Sequence, residues 1–478
     1  MRSQVGPAEG LAGLLFDARP EPSRPSVQGT ASRDVAPGQR YDRDLWVPHD
    51  SVSPPLAGKD SPSMPASNQL RTEIDLTNPD LYRRGFPHEV FSVLRREAPV
   101  CWLSLSDGVP PFNDPGVWVL SRHDDIQSAN RDTVQFSALD GPALVHRPEM
   151  RGTMLVSMDG RHHTRVRRLV SSGFTPRMVK RLEEQARKWA VTIVEDALEQ
   201  GTCDFVQAVA YQLPMNMIAD IVGIPVEDRE PLFALTSDFL TGSSPDRAMP
   251  VEDNLNLQVQ MFEYGRQLGE QKRRQPQDDV WTILSTAEVE MDDGQRTKLG
   301  QDEFDMFFLL LTVAGSETTR NAIAGGLVAL FQHADQLERL RREPALMGSA
   351  VEEILRWTSP VSYFARRATC DTEINGVPIA AGDRVTLWYP SGNRDENIFE
   401  SPFRFDIGRA PNQHVAFGGG GPHFCLGANL ARFEISILFE ELLARTQEIE
   451  VLQPPKYTVL GIHNPILTAM SELLVRLA

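Results

Sequence analysis

In this 478-residue chain one run near the end combines the residue types best suited to chemistry: Phe417-Gly418-Gly419-Gly420-Gly421-Pro422-His423-Phe424-Cys425-Leu426-Gly427. Four consecutive glycines cost conformational entropy, so a fold keeps them where the backbone must turn sharply or press close to something. They deliver one cysteine to what reads as the start of a helix, Ala428-Asn429-Leu430-Ala431-Arg432-Phe433-Glu434. A thiolate there is stabilised by the unpaired N–H groups and the dipole of the helix N-terminus. A lone cysteine so placed suits a single axial bond from sulfur to a haem iron.

Three further groupings carry reactive or charged types. Ala314-Gly315-Ser316-Glu317-Thr318-Thr319 interrupts an apolar helical stretch. Ala314 and Thr318 share a helix face, and the small residues at 314 and 315 let a flat ligand approach the backbone. Glu317 and Thr318 put an acid beside an alcohol, a pairing able to pass protons. Both are costly in mid-helix unless they serve water or a ligand. Glu353 and Arg356 stand at i, i+3 and can pair on a helix face; by spacing alone they are an ordinary ion pair. His163 and Arg167 are four apart in Arg161-His162-His163-Thr164-Arg165-Val166-Arg167-Arg168, so both can face one anionic group. A solvated basic face fits the same spacing equally well.

The elements that must position these residues are mostly helices. Helical spacing predicts helices over Pro87–Glu97, Ser121–Asn130, Arg177–Gly201, Asp204–Val222 and Pro250–Arg274, and one very long helix over Gly300–His333. Val117–Leu120 reads as a strand. Short β signals cluster between Ser362 and Leu387, with Asn375-Gly376 as a hairpin turn. The pattern predicts a mainly α fold with a small β region. Residues 1–70 hold ten of the 35 prolines and no sustained period. They read as a disordered extension, or as the product of a start site placed too far upstream, before one domain over 71–478. The net charge of −17 argues against a general nucleic-acid role. Four separated cysteines exclude a disulfide scaffold or a zinc site and suit a reducing cytoplasm. The longest apolar stretch, Met306–Gly315, is too short for a membrane span.

The cysteine run resembles the haem-binding loop of the cytochrome P-450 monooxygenases, one residue longer than is usual there. The variant FGGGGPHFCLGANLAR resembles a branch that oxidises steroid side chains and methyl-branched lipids. The other groupings follow in the family's order from about residue 72 onward. The resemblance implies the family fold, with haem b held between the long central helix and the cysteine helix. It implies Cys425 as the iron ligand and Thr318 and Glu317 as proton donors toward bound dioxygen. Glu353 and Arg356 would form a buried structural pair, with Arg404 as its third member. The haem propionates would be held by His163 (or His162), Arg167, Arg366 (or Arg367) and His423.

The pocket would be lined by Ala314, residues 143–156, 240–250 and 461–464, and Val361–Phe364. Leu144, Val145, Met154 and Leu155 would turn inward, making the lining and hence the ligand apolar. Lacking an N-terminal anchor, the chain resembles the soluble, cytoplasmic bacterial type. Electrons would come from NAD(P)H through a ferredoxin reductase and an acidic ferredoxin, docking on Arg161, Arg165, Arg168 and Arg432. The expected reaction is hydroxylation by O2 of an unactivated C–H bond in a branched lipid, terpenoid or steroid side chain. A tailoring hydroxylase of polyketides, a peroxide-driven enzyme and a non-catalytic haem protein are the alternatives.

Overall fold

The computed structural model describes residues 74–105, 114–144, 151–172, 176–242, 244–247, 249–290, 296–460 and 466–478. The extension 1–70, Val145 and residues 461–464 therefore lie outside the described residues. The rest is mainly helical with a small β region, as the sequence pattern predicts.

The central helix, Gln301–Gln332, runs through the main core. Its start is set by Glu303, whose carboxylate accepts from the Gly300 N–H at 2.8 Å. Around it pack the helices Gln212–Val222, Val251–Arg274 and Met347–Thr358, with the cysteine helix Ala428–Arg445 behind. Phe304, Phe307, Phe308, Ile323, Ala324 and Leu327 bury its flanks. Its polar middle does not break it: four polar side chains donate to the carbonyl four residues back, and Glu317 and Arg320 pair with each other. Thr312 reaches Phe308 (2.9 Å), Ser316 reaches Thr312 (2.8 Å), Thr318 reaches Ala314 (2.9 Å) and Asn321 reaches Glu317 (2.8 Å).

A five-stranded sheet forms the other side. Its order is Val100–Ser104, Gly116–Leu120, Arg384–Trp388, Tyr363–Ala368, Phe136–Ser137. All neighbours are antiparallel except Gly116–Leu120 with Arg384–Trp388. Every residue of Arg384–Trp388 is buried, as a strand covered on both faces must be. Trp388 is stacked between Phe91 (4.9 Å) and Tyr363 (4.8 Å). Asn375 (φ 51°) and Gly376 (φ 76°) turn the hairpin between Thr372–Ile374 and Val377–Ile379, both in the left-handed region such a turn needs.

One expected helix is divided. Over 204–222 the chain makes a strand Thr202–Asp204, a π-helical turn Val206–Ala210, and only then the helix Gln212–Val222. The strand forms because the C-terminal strand Leu474–Leu477 pairs with it, and Asp204 accepts from both Val206 and Leu473 N–H groups. That partner lies some 270 residues away and leaves no local signal. A further helix, Val226–Gly242, carries Pro231 inside it and was hidden by that proline.

Candidate functional site

The cysteine loop is folded against the end of helix His123–Arg131. Gly418, Gly419, Gly420 and Gly421 all have positive φ (94°, 69°, 109°, 79°), so no other residue type fits without strain. A Cβ on Gly421 would lie 2.9 Å from the Arg131 Cα. Asn130 donates its amide to the carbonyls of Gly418 and Gly420, and Arg131 donates to Gly419 at 3.0 Å. The Cys425 N–H closes the loop on the Phe417 carbonyl at 3.1 Å, and Gly427 caps the cysteine helix. Burial pushes the Cys425 thiol up, while the Gly427 N–H, Arg167 and Arg432 pull it back. Cys425 nonetheless has exposed surface although protein crowds round it.

The central helix is also open at two positions. Ala314 is exposed and Thr318 half-exposed, although both lie at mid-helix with buried residues on either side. Gly315 does not serve the ligand as the sequence suggested. A Cβ there would meet Ile218 at 2.4 Å, so its smallness lets helix Gln212–Val222 come close. Glu317 also departs from the expectation of an acid beside an alcohol. It is 1% exposed and turned to Arg320 in ion-pair contact, with Arg320 lying over the Tyr211 ring at 5.8 Å. Burial raises the Glu317 carboxyl against the pull of Arg320. Adjacent helical residues point about 100° apart, which is why the two side chains part company.

A cationic cluster stands nearby. His163 and Arg366 are each 2% exposed. The His163 ring lies 4.3 Å from that of His423, and Arg167 donates to the Phe424 carbonyl at 2.5 Å. Both open alternatives resolve. His162 is paired with Glu303 at 2.7 Å, leaving His163 for the cluster. Arg367 is held by Asp140 and Asp114, leaving Arg366 inward, where it donates to Asn130 Oδ1 at 2.8 Å. Asn130, which the sequence reading missed, thus joins the loop carbonyls to Arg366.

The cluster is short of negative charge. Asp159, held by Ser137 at 2.6 Å, reaches His423 at 3.4 Å. His163 Nε2 and Arg366 Nε are buried with no hydrogen-bond partner. Burial first, then His423 and Arg167, push His163 down to about 4. A buried guanidinium with no carboxylate paired to it and an unpaired Nε, beside two histidines, fits a ligand that brings carboxylates, as haem does with its two propionates.

Glu353 and Arg356 are both fully buried and pair bidentately (2.7 and 2.8 Å). Their third partner is Arg409, whose Nε lies 3.2 Å from Glu353, and not Arg404. The Arg404 side chain is 69% exposed; only its carbonyl joins the group, accepting from Arg356 and Arg409. Arg409 follows Asp406, whose N–H also donates to Glu353, so the turn after Arg404 brings it in.

Among the pocket residues expected from the sequence, Leu144 and Leu155 are buried, and Val361 is half-buried, bridging to Leu467. In the 240–250 segment Asp246 is tied to Arg83 (2.7 Å) and Thr458 (2.8 Å). No helix among the described residues is long and apolar enough to cross a membrane.

This arrangement would suit a thiolate-ligated haem, and comparison with known proteins gives the family. The cytochrome P-450 family profile matches residues 255–457. A steroid C26-monooxygenase of Rhodococcus jostii is 37% identical over 434 residues, covering 89% of each chain. A methyl-branched lipid omega-hydroxylase of Mycobacterium bovis is 40% identical over 375 residues, covering 76% of this chain and 86% of that one. A Mycobacterium marinum cytochrome P-450 solved with pseudoionone superposes with a TM-score of 0.75 at 35% identity, covering 81% of this chain and 94% of that one. The chain belongs to the cytochrome P-450 family of haem-thiolate monooxygenases.

Proposed function

We propose that this protein hydroxylates the terminal methyl end of an elongated apolar molecule: a branched isoprenoid, a methyl-branched fatty acid or a sterol side chain. The observation that carries the oxygenase part is that Arg366 and His163, buried and each with an unpaired ring or guanidinium nitrogen, stand beside the loop that presents Cys425, to which Asn130 ties Arg366. The substrate part is supported by the relatives, whose names specify carbon 26 of a steroid and the omega carbon of a methyl-branched lipid.

Haem b, when bound, supplies dioxygen activation and electron transfer. Cys425 would supply the sulfur that binds its iron. His163, Arg167, Arg366 and His423 would hold its carboxylates, and Glu353, Arg356 and Arg409 would keep the supporting core rigid. Thr318 donates its hydroxyl hydrogen to the Ala314 carbonyl, so its lone pairs are left for water or a ligand in the opening. Glu317, once released from Arg320, would feed protons toward that hydroxyl. Ala314 and Val361 would border the substrate. Electrons would arrive from NAD(P)H through a ferredoxin reductase and a ferredoxin, with Arg161 and Arg168 exposed for docking.

The test is a panel of branched lipids, sterols, small aromatics and macrolides. It is read by the low- to high-spin shift and by product analysis with redox partners supplied. Terminal alcohols from the branched compounds are expected. Turnover of small aromatics or macrolides alone would overturn the substrate assignment.

A further inference from the structure

Glu352 and Glu353 are neighbours on one helix, yet they serve different elements. Glu353 turns into the core, whereas Glu352 reaches the cysteine helix. There it holds Arg432 bidentately, Nε to Oε1 at 2.5 Å and Nη2 to Oε2 at 3.0 Å. The Arg432 guanidinium lies over the ring of the loop's first residue, 4.6 Å from the Phe417 ring centroid. Phe417 is the residue whose carbonyl accepts the Cys425 N–H. The same Glu352 Oε2 also contacts His414 Nε2 at 3.0 Å. The Ala416 N–H is aimed at His414 Nδ1 at 3.3 Å, so Nδ1 accepts and the His414 Nε2–H donates to Glu352. Burial would push the Glu352 carboxyl up, but His414 and Arg432 hold it down at about 2. Arg432 is therefore not a free cation of a docking face, as the sequence suggested, but half of a neutral pair under the cysteine loop.

We propose that Glu352 is a positioning residue for Cys425: it holds Arg432 stacked on Phe417 and cancels most of that cation's field at the sulfur, and so helps set the reduction potential of the bound iron. This rests on the haem-thiolate reading above. Reduction adds an electron to the iron centre, so an uncancelled cation beside the sulfur favours the reduced form and an uncancelled anion disfavours it.

The experiment measures the reduction potential of purified holoenzyme by spectroelectrochemistry, with the reduced carbon monoxide spectrum recorded for each sample. Glu352→Gln is expected to shift the potential positive, Arg432→Met to shift it negative, and the double variant to return close to wild type. Glu352→Asp keeps the charge and should keep the wild-type potential. Loss of packing alone would not give shifts of opposite sign that cancel. Shifts of the same sign, or none, in proteins that retain the red-shifted Soret band would overturn the proposal. Should Glu352→Gln not accumulate, the sign of the Arg432→Met shift decides. A wild-type protein without that band would instead overturn the haem-thiolate reading itself.

Discussion

Glu353 and Arg366 are both buried charges, and their surroundings differ in one respect. Glu353 itself is answered from several sides. Arg356 pairs with it bidentately, Arg409 adds a second cation, and the Asp406 N–H and the Asn412 amide complete its oxygens. Arg356 spends its remaining N–H groups on the carbonyls of Asn393, Pro402 and Arg404. Around Arg366 the supply runs out. Asn130 and the Ala365 carbonyl take two donors, Nε has no partner, and His163 beside it is in the same condition. A closed set of charges holds a protein together. An open set is a place where something charged must arrive.

The largest effect that separates the two regions should come from Glu353→Gln. It leaves Arg356 and Arg409 buried without their counter-charge, and breaking a buried pair costs about 3–5 kcal/mol. The expected result is a large drop in the urea midpoint or no soluble protein. A midpoint close to wild type would mean that the group is not a closed structural set.

Arg366→Ala should behave in the opposite way. Removing a charge-assisted pair to a haem carboxylate is worth roughly 1.5–3 kcal/mol, or roughly 10- to 100-fold in haem dissociation rate. The haem-free protein should be no less stable than wild type, because a buried cation with no carboxylate paired to it has been removed. Transfer of haem to apomyoglobin gives the rate, and urea unfolding of the haem-free form gives the stability. A stability loss like that of Glu353→Gln would erase the distinction between the regions.

The smallest effect is a pH slope. His163 is depressed from 6.5 to about 4, so the unfolded chain binds its proton at higher pH than the folded one. The stability this residue contributes is present above 6.5 and is lost as pH falls toward 4. In haem-free protein His163→Gln should flatten the fall in urea midpoint across that window. With haem bound, an anionic partner should raise the His163 value, and the wild-type slope itself should shrink. Slopes that neither the substitution nor haem changes would place His163 outside the cluster's chemistry.

The order and spacing of the reactive groups were legible in the chain itself. Local features carry that kind of information: a run of glycines before Cys425, the 3.6-residue period of the long helices, and the Asn375-Gly376 pair that demands a left-handed turn. The fold class followed from the same periods. The tertiary structure alone decided between His162 and His163, between Arg366 and Arg367, and between Arg404 and Arg409 as the partner of Glu353. Neighbours in sequence point to different faces of a helix or strand. Which face turns inward depends on what packs against it from elsewhere in the chain. The same reason explains Gly315, kept small by Ile218, and Glu317, turned from Thr318 to Arg320. It explains the strand Thr202–Asp204, which exists because the last strand of the chain lies beside it.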